Sequence, residues 1–170
     1  MKHLRDKFEY DHEEGCLRWK ALDDNYLYFS ADGTMKPAIS KMSRVKPGSI
    51  AGKRGFGDYR IKQSGASHPK SCALRMIWQH VTGEIMMGKI RTMDPRDTKF
   101  CIENLYVVPF EQRSVHRDRA KNSTVVSYSF EHKQYTVVSV DGHYNKIVLG
   151  CYDSIDDALK ALSEPEVSFL

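Results

Sequence analysis

At 170 residues, 41% hydrophobic and 28% charged, the chain has an ordinary globular composition and is long enough for one medium core or two small ones. No apolar run approaches the roughly 20 residues that span a bilayer, and the opening MKHLRDKFEY has no apolar stretch after its basic residues, as a secretory signal would. The net charge of +4 is uneven: residues 125–170 hold three basic side chains against seven acidic ones, a net of −4, and residues 1–124 hold the other 23 against 15, a net of +8. A basic body suits a phosphate backbone and an acidic tail does not, although solvated surface alone also accounts for an excess of this size.

Along the chain, Leu4, Phe8 and Tyr10 precede a break at Gly15, after which Leu17 and Trp19 alternate with polar residues; this predicts a hairpin. Residues 21–47 scatter Asp, Asn, Gly and Pro without periodicity and read as a long loop or insertion. Gly48, Gly52, Gly55 and Gly57, set among Ile50, Tyr59 and Ile61, predict a second strand pair with tight turns; their spacing fits no nucleotide-binding loop.

Leu74, Ile77, Trp78 and Val81 then fall on one helical stripe, with Ser71 as N-cap and Gly83 as stop, and Trp78 reads as a core residue. Gly88 and Ile90 lead into a strand, and residues 103–121 carry a helical tendency with many basic side chains. The last stretch has three β-rich runs, 125–130, 134–140 and 146–152, separated by turn-like breaks. A helix follows, capped by Ser154 with Asp157 at the capping-box position, apolar at Ile155, Ala158, Leu159 and Leu162, and ended by Pro165. Three antiparallel strands with one helix across them is the expected unit.

Little in the chain carries obvious chemistry. Cys16, Cys72, Cys101 and Cys151 lie far apart with no CxxC pair, so neither a zinc knuckle nor a redox motif is built from them; reduced thiols of a cytosolic protein are expected.

The order of these features resembles phage and intron-associated HNH endonucleases, many of which carry a C-terminal DNA-binding domain like that of the plant Apetala and ethylene-response factors. The resemblance rests on Phe8, Tyr10, Gly15, Leu17 and Trp19; on Gly52, Gly57 and Tyr59; on Arg75, Ile77, Trp78, Thr82, Gly83 and Glu84; and on Glu103, Asn104 and Leu105. In the tail it rests on Tyr135 (where the family prefers Trp), Leu149, Gly150, Tyr152 and the Asp156-Asp157-Ala158-Leu159 helix start. It implies an α+β fold: an HNH-like ββα core with N-terminal β-hairpins in residues 1–122, and a small three-stranded antiparallel sheet with one helix in residues 123–170.

The departures from that family bear on chemistry. An HNH site needs an Asp for one divalent cation, an adjacent His as general base, and Asn or His on the following helix. Counted back from Asn104, the Asp-His positions fall on Arg91 and Thr92; the His that opens the family's helix is Leu74, and the later Asn or His is Arg113. Arg91 and Arg113 put fixed cations where a metal would bind, and Thr92 accepts no proton near neutral pH. Only Asn104 remains, and in an Asn-Leu turn its side chain has a structural role open to it, satisfying local backbone groups. No catalytic residue, metal or cofactor is therefore expected: the HNH-like core is degenerate.

Two accounts of the arginines stand side by side. In one, Arg91 and Arg113, with Arg96, Arg117, Arg119 and Lys121, replace the metal's charge and hold DNA phosphates without cutting; in the other they are ordinary surface left by a decayed site. A displaced site would have to draw on Asp94, Asp97, His116 or His80, though no His adjoins Asp94 and basic surface suits His116 better. The tail offers Tyr128, Lys133, Tyr135, His143, Tyr144 and Lys146, few guanidinium groups for base reading, and its tyrosines Tyr128, Tyr135 and Tyr144 are candidate anchors for a protein partner. The expected function is first a catalytically silent, metal-independent binder of double-stranded DNA. An inhibitor of a host enzyme or defence system is second, and a residual nickase third. A phage origin, and with it the cytoplasm of a bacterial host, follows from the resemblance; no membrane is involved.

Overall fold

The computed structural model describes residues 2–21, 27–29, 32–37, 46–55, 58–61, 71–85, 88–108 and 120–163. They form a mixed α+β fold with three α-helices among the described residues. After a short helix α1 (Lys2–Lys7), β1 (Phe8–Asp11) and β2 (Cys16–Trp19) make the expected hairpin, pairing Phe8 with Trp19 and Tyr10 with Leu17. Its turn depends on Gly15 twice over. The residue has φ +57°, and a Cβ there would meet the backbone nitrogens of Phe100 and Cys101 at 2.4 Å. Only glycine combines the left-handed conformation with that approach.

The segment expected as a long loop holds a second hairpin, β3 (Leu27–Phe29) with β4 (Met35–Pro37). Strands this short carry no periodicity to read. The glycine-rich pair is present as β5 (Lys53–Gly55) and β6 (Asp58–Ile61), extended by β7 (Ser71–Cys72). Ser71 thus lies in a strand rather than capping the helix, which begins two residues later as α2 (Ala73–Thr82). Gly83 does stop that helix: at φ +81° its N–H returns to the Gln79 carbonyl at 3.0 Å.

The largest sheet has five antiparallel strands in the order β12-β11-β10-β9-β8. β8 is Lys89–Thr92, β9 Leu105–Val108, β10 Ser123–Ser129, β11 Gln134–Val140 and β12 Lys146–Tyr152. Residues 105–108, expected to lean helical, are a fully buried strand entered through a 3-10 turn at Ile102–Asn104; an unbroken Leu-Tyr-Val-Val run is what a strand buried on both faces needs. Helix α3 (Ile155–Ser163) packs across the last three strands. Its Ser154 hydroxyl accepts the Asp157 N–H at 3.2 Å, the expected cap, and donates to the Asp157 carboxylate at 2.6 Å.

The expected boundary between residues 122 and 123 runs through this sheet. β9 and β10 pair across it at Val107 and Val126, and the Ser127 hydroxyl donates to the Leu105 carbonyl at 2.8 Å. One core gathers Phe8, Leu17, Tyr59, Trp78 and Ile90 with Val126, Tyr128, Tyr135 and Ala158 from the tail. A second, on the other face, joins Met93, Tyr106 and Val108 to Val125, Val138 and Val140.

Candidate nucleic-acid interface

β8 and β9 pair in register, Arg91 opposite Tyr106 and Thr92 opposite Leu105, and residues 93–104 loop between them. That loop is stitched by its own acids. The Asp94 carboxylate takes Arg96 Nη2 at 2.8 Å and Nε at 3.0 Å; Asp97 receives the Lys99 N–H at 2.8 Å and the Asn104 side-chain amide at 2.7 Å. The Arg96 guanidinium holds the Asp94 carboxyl below its ordinary range.

From the tail, the turn between β11 and β12 reaches the same place. Asp141 accepts the N–H groups of His143 at 2.7 Å and Asn145 at 2.9 Å, and the Asn145 side chain at 2.8 Å. This holds Tyr144 at φ +67°, left-handed backbone that a bulky residue rarely adopts. The Arg96 guanidinium carbon stands 5.1 Å from the Tyr144 ring centroid, a cation–π contact between the two segments. Lys146 makes the other link, donating to the Asn104 side-chain oxygen at 2.8 Å and the Glu103 carbonyl at 3.2 Å; burial pushes its ammonium below the usual lysine range. Between the two segments lies a cavity of about 350 Å³, lined by Met93, Asp94, Arg96, Asp97, Asn104, His143, Tyr144 and Lys146.

The residues singled out from sequence fall into three groups. Arg96, Asn104 and Tyr144 meet in this cavity together with Asp94 and Asp97. Lys121 is exposed beside the Asp141–Asn145 turn, its Cε 3.7 Å from where a Gly142 Cβ would stand, and Arg91 is half-buried on β8. Trp78, Tyr128 and Tyr135 belong to the core. The two tyrosines, expected as exposed anchors, are 8% and 4% exposed and pack on the Trp78 ring with centroids 6.4 and 6.3 Å away. They face inward because β10 and β11 turn these positions toward α2. Arg113, His116, Arg117 and Arg119 lie outside the described residues.

Asn104 is structural, but through other side chains, Asp97 and Lys146, rather than through local backbone. His80 is remote from the cavity. Its ring bonds the Phe8 carbonyl at 3.0 Å, and burial lowers its pKa. Among the described residues no three His, Cys, Asp or Glu side chains gather as metal ligands.

Sequence reading did not single out His143 and Lys146 as partners of the 93–104 loop. They lie some forty residues away, and the only local signal was the Asp141-Gly142 turn before a strand. Fold and site together define a mixed α+β chain with a polar cleft where its last strand meets the β8–β9 loop. Comparison with protein-family models, with curated proteins and with solved structures gave no match.

Proposed function

We propose that the chain is an HNH-endonuclease-like protein that has lost its catalytic groups and binds double-stranded DNA without a metal. The observation that carries this is the state of the strand pair where an HNH site would lie. Arg91 and Thr92, on which the family's Asp-His positions fall by sequence spacing, lie on β8, and Asn104 is committed to Asp97 and Lys146. A fixed guanidinium excludes a cation by repulsion and holds a phosphate by paired hydrogen bonds. The excess of +8 over residues 1–124 supplies the wider field that draws a polyanion. With the family comes a phage origin, and so the cytoplasm of a bacterial host.

Plasmid incubated with Mg²⁺, Mn²⁺ or EDTA, scored on one gel for nicking and for retardation, tests this. Retardation equal in all three and without nicking is the expected result, while metal-dependent nicking would establish a residual nickase. Arg91→Ala combined with Arg113→Ala is expected to weaken binding and flatten its salt dependence by about 0.9 in log–log slope for each phosphate no longer neutralised. An unchanged slope would place the phosphates elsewhere.

A specific observation favours a second function, inhibition of a host enzyme or defence protein. Ile147, Val148 and Leu149 on the sheet-edge strand β12 are 65%, 57% and 39% exposed, a consecutive apolar run of the kind that marks protein-binding surfaces. With Tyr128 and Tyr135 buried, this run replaces them as the anchor of that alternative.

A further inference from the structure

The cavity between the 93–104 loop and the Asp141–Asn145 turn is balanced in charge. Arg96 neutralises Asp94, and Asn104 stands between Asp97 and Lys146, donating to one and accepting from the other. Two carboxylates therefore face two cations. A bare phosphate would approach both carboxylates, and a bare cation both ammonium and guanidinium; neither gains a net field. A neutral molecule with donors and acceptors along one edge gains from both kinds of wall.

The remaining wall carries an aromatic ring. The Arg96 guanidinium carbon lies over the Tyr144 ring, 5.1 Å from its centroid, and the Arg96 side chain is 71% exposed. Aromatic rings and guanidinium planes are the surfaces on which unpaired nucleobases stack. A volume of about 350 Å³ lies at the small end of ligand cavities, roughly 300–1,000 Å³, and suits one base with its sugar. The platform is also preorganised: a left-handed tyrosine persists only where its surroundings enforce it, and Asp141 does so here through three hydrogen bonds to His143 and Asn145.

We propose that this cavity binds a single unpaired nucleobase with its sugar, stacked on the Arg96–Tyr144 pair and held along its polar edge by Asp97 and Lys146. The base comes either from a free nucleoside or from an unpaired position in DNA. In the second form the proposal rests on the DNA-binding function above; in the first it stands without it.

The test uses the full chain and the fluorescence of 2-aminopurine in three settings: as the free riboside, within a single-stranded oligonucleotide, and as an unpaired base in a duplex, beside a matched duplex as control. Stacking is expected to quench the emission of at least one unpaired form and to tighten its binding over the matched duplex roughly tenfold, the worth of one base stack. Tyr144→Asn keeps a residue that tolerates left-handed backbone and removes the ring; Arg96→Met removes the guanidinium from the other side. Each should abolish the quenching while melting like the wild type.

Quenching of the riboside assigns the site to free nucleosides, and quenching confined to the oligonucleotides assigns it to DNA. Unchanged emission in all three forms, or quenching that survives both substitutions, overturns the proposal. Retardation of the matched duplex is read separately. Duplex binding without base capture overturns the pocket alone, and base capture without duplex binding overturns the duplex function and leaves a nucleoside site.

Discussion

At the scale of single residues, Trp78 concentrates the most information. Its side chain is fully buried between α2 and the tail's Tyr128 and Tyr135, and its indole N–H is the one fully buried side-chain polar atom among the described residues without a partner. Truncation to alanine is expected to cost about 3–5 kcal/mol in urea unfolding. Trp78→Phe should cost distinctly less, because losing ring volume is partly offset by removing a donor whose burial costs about 1–3 kcal/mol. If phenylalanine proves as damaging as alanine, the N–H has a partner and the offset does not exist. His80 gives a pH dependence of definite sign. Burial lowers its folded pKa below the ordinary value of about 6.5, so the folded state binds fewer protons than the unfolded. Its contribution is present above that value and is lost as pH falls through 6.5 toward the folded pKa. Denaturant midpoints at pH 7.5 and 5.5 should therefore fall with acid in the wild type, and fall less in His80→Gln. Equal falls in the two would assign the acid sensitivity to other groups.

At the scale of elements, local chemistry was legible wherever it was self-contained. The Gly15 hairpin, the α2 stripe with its Gly83 stop, the three tail strands and the Ser154–Asp157 cap all depend on neighbours within a few residues, and each stands where its sequence pattern put it. Ser154→Ala is accordingly expected to lower stability by about 1 kcal/mol in a chemical melt, the usual worth of such a cap; no change would mean that packing of Ile155 and Leu159 alone defines the helix start. What escaped the sequence was set by long-range pairing. The stretch read as helix-prone after Asn104 becomes a strand because β8 and β10 flank it, and tertiary pairing overrides a weak local preference. The tyrosines of β10 and β11 carried no mark of which face they would take, since a one-residue change of register reverses every side chain. The cavity was half legible. Arg96, Asn104 and Tyr144 were singled out for separate reasons, but nothing local announced that Lys146 would reach Asn104 from 42 residues away.

At the scale of the whole molecule, the question is whether residues 1–122 and 123–170 are separable units. The tail strands extend the sheet begun by β8 and β9, and Tyr128, Tyr135 and Ala158 complete the core that contains Trp78. Removing the tail would strip β9 of one of its two neighbours and expose Trp78 on one side. A chain of this size has little surplus stability from which to lose such a face. The full protein is therefore expected to melt in a single transition, coincident in far-ultraviolet circular dichroism and in tryptophan fluorescence, as one cooperative unit does. A fragment of residues 1–122 should show red-shifted emission from Trp78 and no cooperative melt. Both tryptophans precede the cut, and Trp19, packed at a tilt against Phe8 with ring centroids 4.5 Å apart within the first hairpin, is an internal control whose own replacement by Phe isolates the Trp78 signal. A fragment that melts cooperatively with native emission would mean the tail is an independent appendage. The cleft beside Tyr144 would then be a junction between two stable bodies, and its geometry would be set by the Lys146 and Arg96 links alone. Cooperative loss of both parts would instead make that cleft as rigid as the sheet that builds it, as a site that selects a ligand by shape requires.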